Sequence, residues 1–167
     1  NLACLAVYWM TARTFRTGVR WARGLVGAAG LAFLISYVGH ALDSGFVGDT
    51  TGSAYYLGLA TRTGAFAWVC FESLRQYGLA RRRLALGLAD PLVVNRFLLF
   101  GLGTGGVFAA FAIFLVGQLL HAKVAEAGWV LAATGAAGLF AAVPTWRAFL
   151  PPPFYRRWFG EAQAAAR

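Results

Sequence analysis

Charged residues are scarce in this chain, and acidic residues are the scarcest of them. Only 13% of the 167 residues are charged, about half the share found in soluble globular domains, whereas 59% are hydrophobic. The 15 Lys and Arg residues outnumber the 6 Asp and Glu residues, which gives a net charge of +9. In a soluble protein this surplus would suggest a nucleic-acid partner. The apolar composition instead predicts a membrane protein with no nucleic-acid partner.

The chain also lacks the residue patterns that usually carry catalysis or bind a metal. Its two cysteines form no C-x-x-C pair, and there is no Walker loop, no cluster of zinc ligands and no Ser/His/Asp set. We therefore expect a protein that is not an enzyme and that holds no metal or cofactor.

Apolar runs of membrane length fill most of the remaining sequence. A helix needs about 20 apolar residues to cross a hydrocarbon core of about 30 Å. We predict an all-α fold, a polytopic transmembrane bundle of five membrane helices in a single domain over residues 1–167. The first run covers only half a bilayer and begins with Asn1, so we expect the first helix to be incomplete and the chain to be a fragment of a longer one. The predicted spans are residues 1–12, 24–42, 55–76, 92–120 and 129–150.

Basic residues alternate between the two ends of the predicted helices. Thirteen of the 15 lie within residues 11–23, 75–96 and 147–167, and only Arg62 and Lys123 fall on the opposite side. Cytoplasmic loops collect Lys and Arg. The alternation predicts a multi-pass protein of the bacterial inner membrane with its first residue outside and its C-terminus in the cytoplasm.

Two short-range patterns predict local contacts. Asp90 followed by Pro91 fits an N-cap residue and the first position of the fourth helix. Glu72 and Arg75 are three residues apart on one face of the third helix, which predicts an ion pair between them. We favour a structural role for this pair over proton transfer, because the chain has no further acids or histidines through the bilayer centre.

Glycines recur inside the apolar runs. Gly101, Gly103 and Gly106 spell G-x-G-x-x-G, but the dinucleotide-binding motif ends a strand and opens a helix, whereas these lie within one uncharged run. Gly101 and Gly105 instead fit small-xxx-small packing, in which two helix backbones approach closely in lipid. The predicted packing residues are Gly27, Gly30, Gly101, Gly105, Gly135 and Gly138.

Three polar residues fall near the predicted outer ends of the helices. His40 and His121 lie at similar depth, and Arg62 lies one to two turns further in. Two imidazoles on facing helices could ligate a haem or chlorophyll-type pigment, with the arginine holding a carboxylate, and a quinone or lipid site is a further alternative. We favour the reading in which the histidines are interfacial and Arg62 reaches headgroups or pairs with Asp43 or Asp49.

Two segments carry the only family likeness in the chain. They are LPPPFYRRWF at residues 150–159 and RRRLALGLADPLVVNRFLLFG at residues 81–101. Both resemble segments of bacterial polytopic membrane sensor regions that precede histidine-kinase or related output modules. This resemblance implies a membrane-embedded input region, and it assigns no functional residue.

Three functions follow as expectations. The glycine-rich faces and the lack of catalytic groups favour a structural or accessory subunit of a larger membrane complex of photosynthetic or respiratory type. The alternatives are the input region of a bacterial signalling protein and a transporter component. A transporter would ordinarily show paired charges at the midplane and an internal repeat. The expected partners are the lipid bilayer and other membrane subunits.

Overall fold

A computed structural model of the chain describes residues 1–44, 52–120 and 128–150. These residues form five α-helices and no strand, which confirms the predicted all-helical class for this part of the chain. The helices are α1 (Leu2–Phe15), α2 (Arg20–Ser44), α3 (Ser53–Ala85), α4 (Pro91–Leu120) and α5 (Gly128–Phe149). The connections at residues 45–51 and 121–127 and the tail at residues 151–167 lie outside the described residues, as do the predictions made for them.

The two described turns use glycine where the chain reverses. Gly18 and Gly87 adopt φ angles of +80° and +70°, a region that favours glycine because it has no Cβ atom. After Gly87, the Asp90 carboxylate accepts a hydrogen bond of 2.8 Å from the backbone N–H of Leu92, and α4 begins at Pro91. The predicted cap of the fourth helix is therefore confirmed.

Helix α3 is the central element of the fold. It contacts α1, α2 and α4, whereas α5 packs along α4 at the edge of the molecule. Asn1, before α1, meets Arg62, and Arg16, after α1, meets Glu72 ten residues further along α3, so α1 runs parallel to α3. Tyr56 near the start of α3 bonds to Gln118 near the end of α4, so these two helices are antiparallel. The arginine-rich turns therefore lie at one end of the bundle.

The core on the α1 and α2 side of α3 is built from small and aromatic side chains. Its buried residues are Cys4, Tyr8, Ala29, Phe33 and Ala65. The Tyr8 hydroxyl donates a hydrogen bond of 3.0 Å to the carbonyl of Thr61, which satisfies the polar tip of an otherwise apolar side chain. The rest of the helix surfaces is rich in exposed Leu, Phe and Val, as expected of a chain that meets lipid.

Three of the five helices are long and apolar enough to cross a membrane. They are Arg20–Leu42 in α2, Pro91–Leu120 in α4 and Gly128–Phe149 in α5. Helix α1 has only 14 residues, and α3 has 33 residues but contains Arg62, Glu72 and Arg75 in addition to the arginines of its last turn. Length and composition thus show three membrane-compatible helices in the described part of the chain.

Candidate functional site

Two of the three residues considered for pigment binding, His40 and Arg62, lie in the described part of the chain. The His40 ring on α2 lies 6.4 Å from the Tyr55 ring on α3, and Arg62 donates its Nε–H to the side-chain oxygen of Asn1 over 2.9 Å. His121 lies outside the described residues. Within the described part of the chain, no group of three or more His, Cys, Asp or Glu side chains could hold a metal ion.

The glycines of α4 divide between two neighbouring helices. A Cβ added at Gly101 would lie 2.8 Å from Cδ2 of Leu74 on α3, and one at Gly105 would lie 3.2 Å from Sγ of Cys70 on α3. A Cβ added at Gly106 would lie 3.1 Å from the backbone oxygen of Ala137 on α5. Glycine at these positions lets α4 approach α3 on one side and α5 on the other.

The remaining predicted packing glycines have more open surroundings. A Cβ at Gly30 would meet Cδ1 of Leu5 at 3.8 Å, an ordinary contact. At Gly27 on α2, and at Gly135 and Gly138 on α5, the added Cβ would have no described atom within 4 Å beyond the local backbone of its own helix. These three glycines are on helix surfaces that the described part of the chain does not cover.

A buried carboxylate joins α1 to α3. Glu72 is 1% exposed, and its Oε1 accepts a hydrogen bond of 2.6 Å from Nε of Arg16, the residue that ends α1. Its Oε2 lies 3.5 Å from Nη1 of Arg75, so the predicted pair with Arg75 is present but longer. A carboxylate buried this deeply is stable only when paired, and the shorter partner is Arg16.

Aromatic rings extend this ion pair into the bundle. The Arg16 guanidinium lies 5.3 Å from the centre of the Trp21 ring, within the range of a cation–π contact. The centre of the Trp21 ring lies 5.9 Å from that of the Trp68 ring, which lies 5.8 Å from the centre of the Tyr8 ring. Arg16 is thereby held from two sides, by the Glu72 carboxylate and by the Trp21 ring.

A pocket opens beside Arg16 at the turn between α1 and α2. Its volume is about 330 Å³, and Arg13, Arg16 and Arg23 all line it. Trp9 and Val26 form apolar parts of its wall. The pocket therefore places three cations against an apolar surface, an arrangement suited to an anion that carries an apolar group.

Sequence reasoning found the Glu72–Arg75 spacing but missed Arg16. The sequence did carry one signal for this contact, the predicted depth in the membrane, because Arg16 and Glu72 both fall near the same predicted membrane boundary. Depth does not say which helices are neighbours, so the partner of Glu72 required the structure. The same limit explains why the division of the α4 glycines between α3 and α5 was not predicted.

The fold and the residues around Glu72 define an all-helical protein with membrane-compatible helices and a buried ion pair between α1 and α3. The chain matches no model of a known protein family, no curated protein and no solved structure.

Proposed function

We propose that this chain is a non-catalytic, multi-pass protein of the bacterial inner membrane that serves as a structural or accessory subunit of a larger membrane complex, of photosynthetic or respiratory type. In this proposal all five helices enter the membrane, the first residue faces outside and the arginine-rich end faces the cytoplasm. Other membrane subunits are its partners.

The position of α3 supports its crossing despite its charges. Neighbouring helices α1, α2 and α4 surround it, and Glu72 is neutralised inside the bundle by two guanidinium groups. Arg62 bonds to the side chain of Asn1. Polar residues that face the bundle interior and are paired there are tolerated within a membrane. Helix α1 packs against α2 and α3 and is proposed to share their membrane environment.

The outward face of α5 supports the proposal that the chain belongs to an assembly. Helix α5 packs on α4 through a face that includes Val130, Ala141, Pro144 and Ala148. Exposed small residues recur every three or four positions on the opposite face, at Gly128, Ala132, Gly135, Gly138 and Ala142.

Such small residues have a clear use between helices and little use against lipid. Lipid tails pack against large and small apolar side chains alike. The backbone of a second helix, in contrast, approaches closely only where side chains are small. The two faces of α5 therefore suit two helix neighbours, and α4 supplies only one of them.

Photo-crosslinking in native membranes tests this assignment. A photoreactive aromatic amino acid replaces Leu139, which is 75% exposed and lies within the small-residue face, or Val116 on α4, which is 48% exposed on a helix whose glycines are all packed. We expect a crosslink to a discrete membrane protein from position 139 and none from position 116. Equal crosslinking at both positions, or only lipid adducts at both, would contradict the assembly role.

A further inference from the structure

The pocket between α1 and α2 carries an excess of positive charge. Arg13, Arg16 and Arg23 line it, and among the described residues only Arg16 has an acidic partner. That partner, Glu72, is 1% exposed and is shared with Arg75. Within the described part of the chain, Arg13 and Arg23 form no ion pair, so the pocket holds cations that no described carboxylate neutralises.

The cations are positioned by their surroundings. Arg16 is fixed by Glu72 at 2.6 Å and by Trp21 at 5.3 Å, and its side chain is only 22% exposed. The Arg13 guanidinium lies 5.3 Å from the centre of the Trp9 ring, which also lines the pocket. Gly18, with φ +80°, forms the turn that brings Arg23 on α2 back towards the arginines of α1.

Part of the pocket wall is apolar. Trp9, Ala12 and Val26 line it together with the arginines, and Trp9 is 57% exposed. A small inorganic anion would use only the guanidinium groups. An anion attached to a hydrocarbon chain would also cover the Trp9 and Val26 side chains.

We propose that this pocket binds a phosphate group, carried by an acidic phospholipid of the leaflet at the arginine-rich end of the bundle. Guanidinium groups donate paired hydrogen bonds to phosphate oxygens, and basic pockets between membrane helices accept lipid headgroups. Arg13 and Arg23 bind the phosphate, and Arg16, which is fixed by Glu72, forms part of the pocket wall. The choice of a lipid as the carrier rests on the proposed membrane placement; binding of phosphate itself does not.

Native mass spectrometry of the full chain in mild detergent, with phosphatidylglycerol added, tests the proposal. The informative variants are Arg23→Gln and the double variant Arg13→Gln/Arg23→Gln, because neither removes the Glu72–Arg16 pair. The matched control is Arg82→Gln/Arg83→Gln, which removes the same charge from the last turn of α3. Inorganic phosphate alone is the second probe, read as a rise in the melting temperature.

We expect the wild-type chain and the control to retain one lipid, Arg23→Gln to bind it about tenfold more weakly, and the double variant to lose it. Because Arg23 makes no described ion pair, the single variant decides the test if the double variant fails to fold. A phosphate-induced rise in melting temperature that Arg23→Gln abolishes, without lipid retention, supports the site with a soluble phosphate as its ligand.

Two results would overturn the site: no binding of either probe, or equal loss of binding in the pocket variants and the control. The isolated chain suffices for this experiment, so its result is independent of whether α5 contacts another subunit.

Discussion

Nε of Arg16, at the end of α1, donates a hydrogen bond of 2.6 Å to the Glu72 carboxylate in the middle of α3. The two residues are 56 positions apart in sequence, and the carboxylate is 1% exposed. This contact fixes the end of the short helix α1 against the central helix. It also orients Arg16 at the edge of the arginine pocket.

Removing the close partner of Glu72 should destabilise the fold more than removing the distant one. Arg16→Gln leaves a buried carboxylate with only the 3.5 Å contact to Arg75, and we expect a loss of about 3 kcal/mol in the free energy of unfolding. Arg75 is 43% exposed in its side chain, so Arg75→Gln should cost about 1 kcal/mol or less. Titration of both variants with a denaturing detergent measures the difference. Equal losses would show that Arg16 is not the principal partner.

The glycines of α4 and α5 should respond unequally to the same added methyl group. Gly106→Ala places Cβ 3.1 Å from the backbone oxygen of Ala137, which cannot move independently of α5, and should destabilise by about 1–3 kcal/mol. Gly105→Ala meets only the Cys70 side chain, at 3.2 Å, and should cost less.

Gly138→Ala is the control for this series, because its added Cβ has no described atom within 4 Å beyond the local backbone of α5. Alanine favours the helix over glycine by about 1 kcal/mol, so the isolated chain should be unchanged or slightly more stable. Stability that falls equally in all three variants would contradict the assignment of Gly106 to the seam between α4 and α5.

The fold was largely predictable from sequence, whereas the neighbours of each helix were not. Apolar run length and charge placement predicted five helices, and Asp90–Pro91 marked the start of α4, because these signals are local. Helix α3 differs from its predicted span of residues 55–76, since it continues through the arginine-rich segment to Ala85. Which helices touch depends on shape complementarity over the whole bundle. Spacing alone therefore identified Arg75 as a partner of Glu72 but not Arg16, and it could not separate the packed Gly101 from the open Gly135.

Residues at opposite ends of the helices should differ in their access to an impermeant thiol reagent. With the first residue outside, a cysteine at Ser44 should be labelled in intact cells, whereas cysteines at Ala80 and Ala164 should be labelled only after the membrane is opened. The chain without added cysteines sets the background from Cys4 and Cys70, which are both free. The reverse labelling pattern would invert the proposed orientation.

The purified chain should have no pigment spectrum. We expect no Soret or chlorophyll-like absorption, and His40→Ala and His121→Ala should leave any spectrum of its complex unchanged. The physical reason is position, since histidines within about a turn of a polar loop can be satisfied by water. An absorption band of the purified chain that disappears in either variant would instead establish a bound tetrapyrrole, with Arg62 as a candidate for its carboxylate.

The size of the particle extracted from native membranes tests the assembly role most directly. Gly135→Leu/Gly138→Leu fills the outer face of α5, where a Cβ added at either position meets no neighbouring helix within 4 Å, and Gly78→Leu is the control at an equally open glycine in the last third of α3. After mild-detergent extraction, we predict that the wild type and Gly78→Leu migrate in a discrete particle much larger than the 17.9 kDa chain, with constant companion subunits. The double variant should migrate alone while keeping its helical content. Migration of the wild-type chain as a monomer, or a large particle that survives the double substitution, would contradict the account.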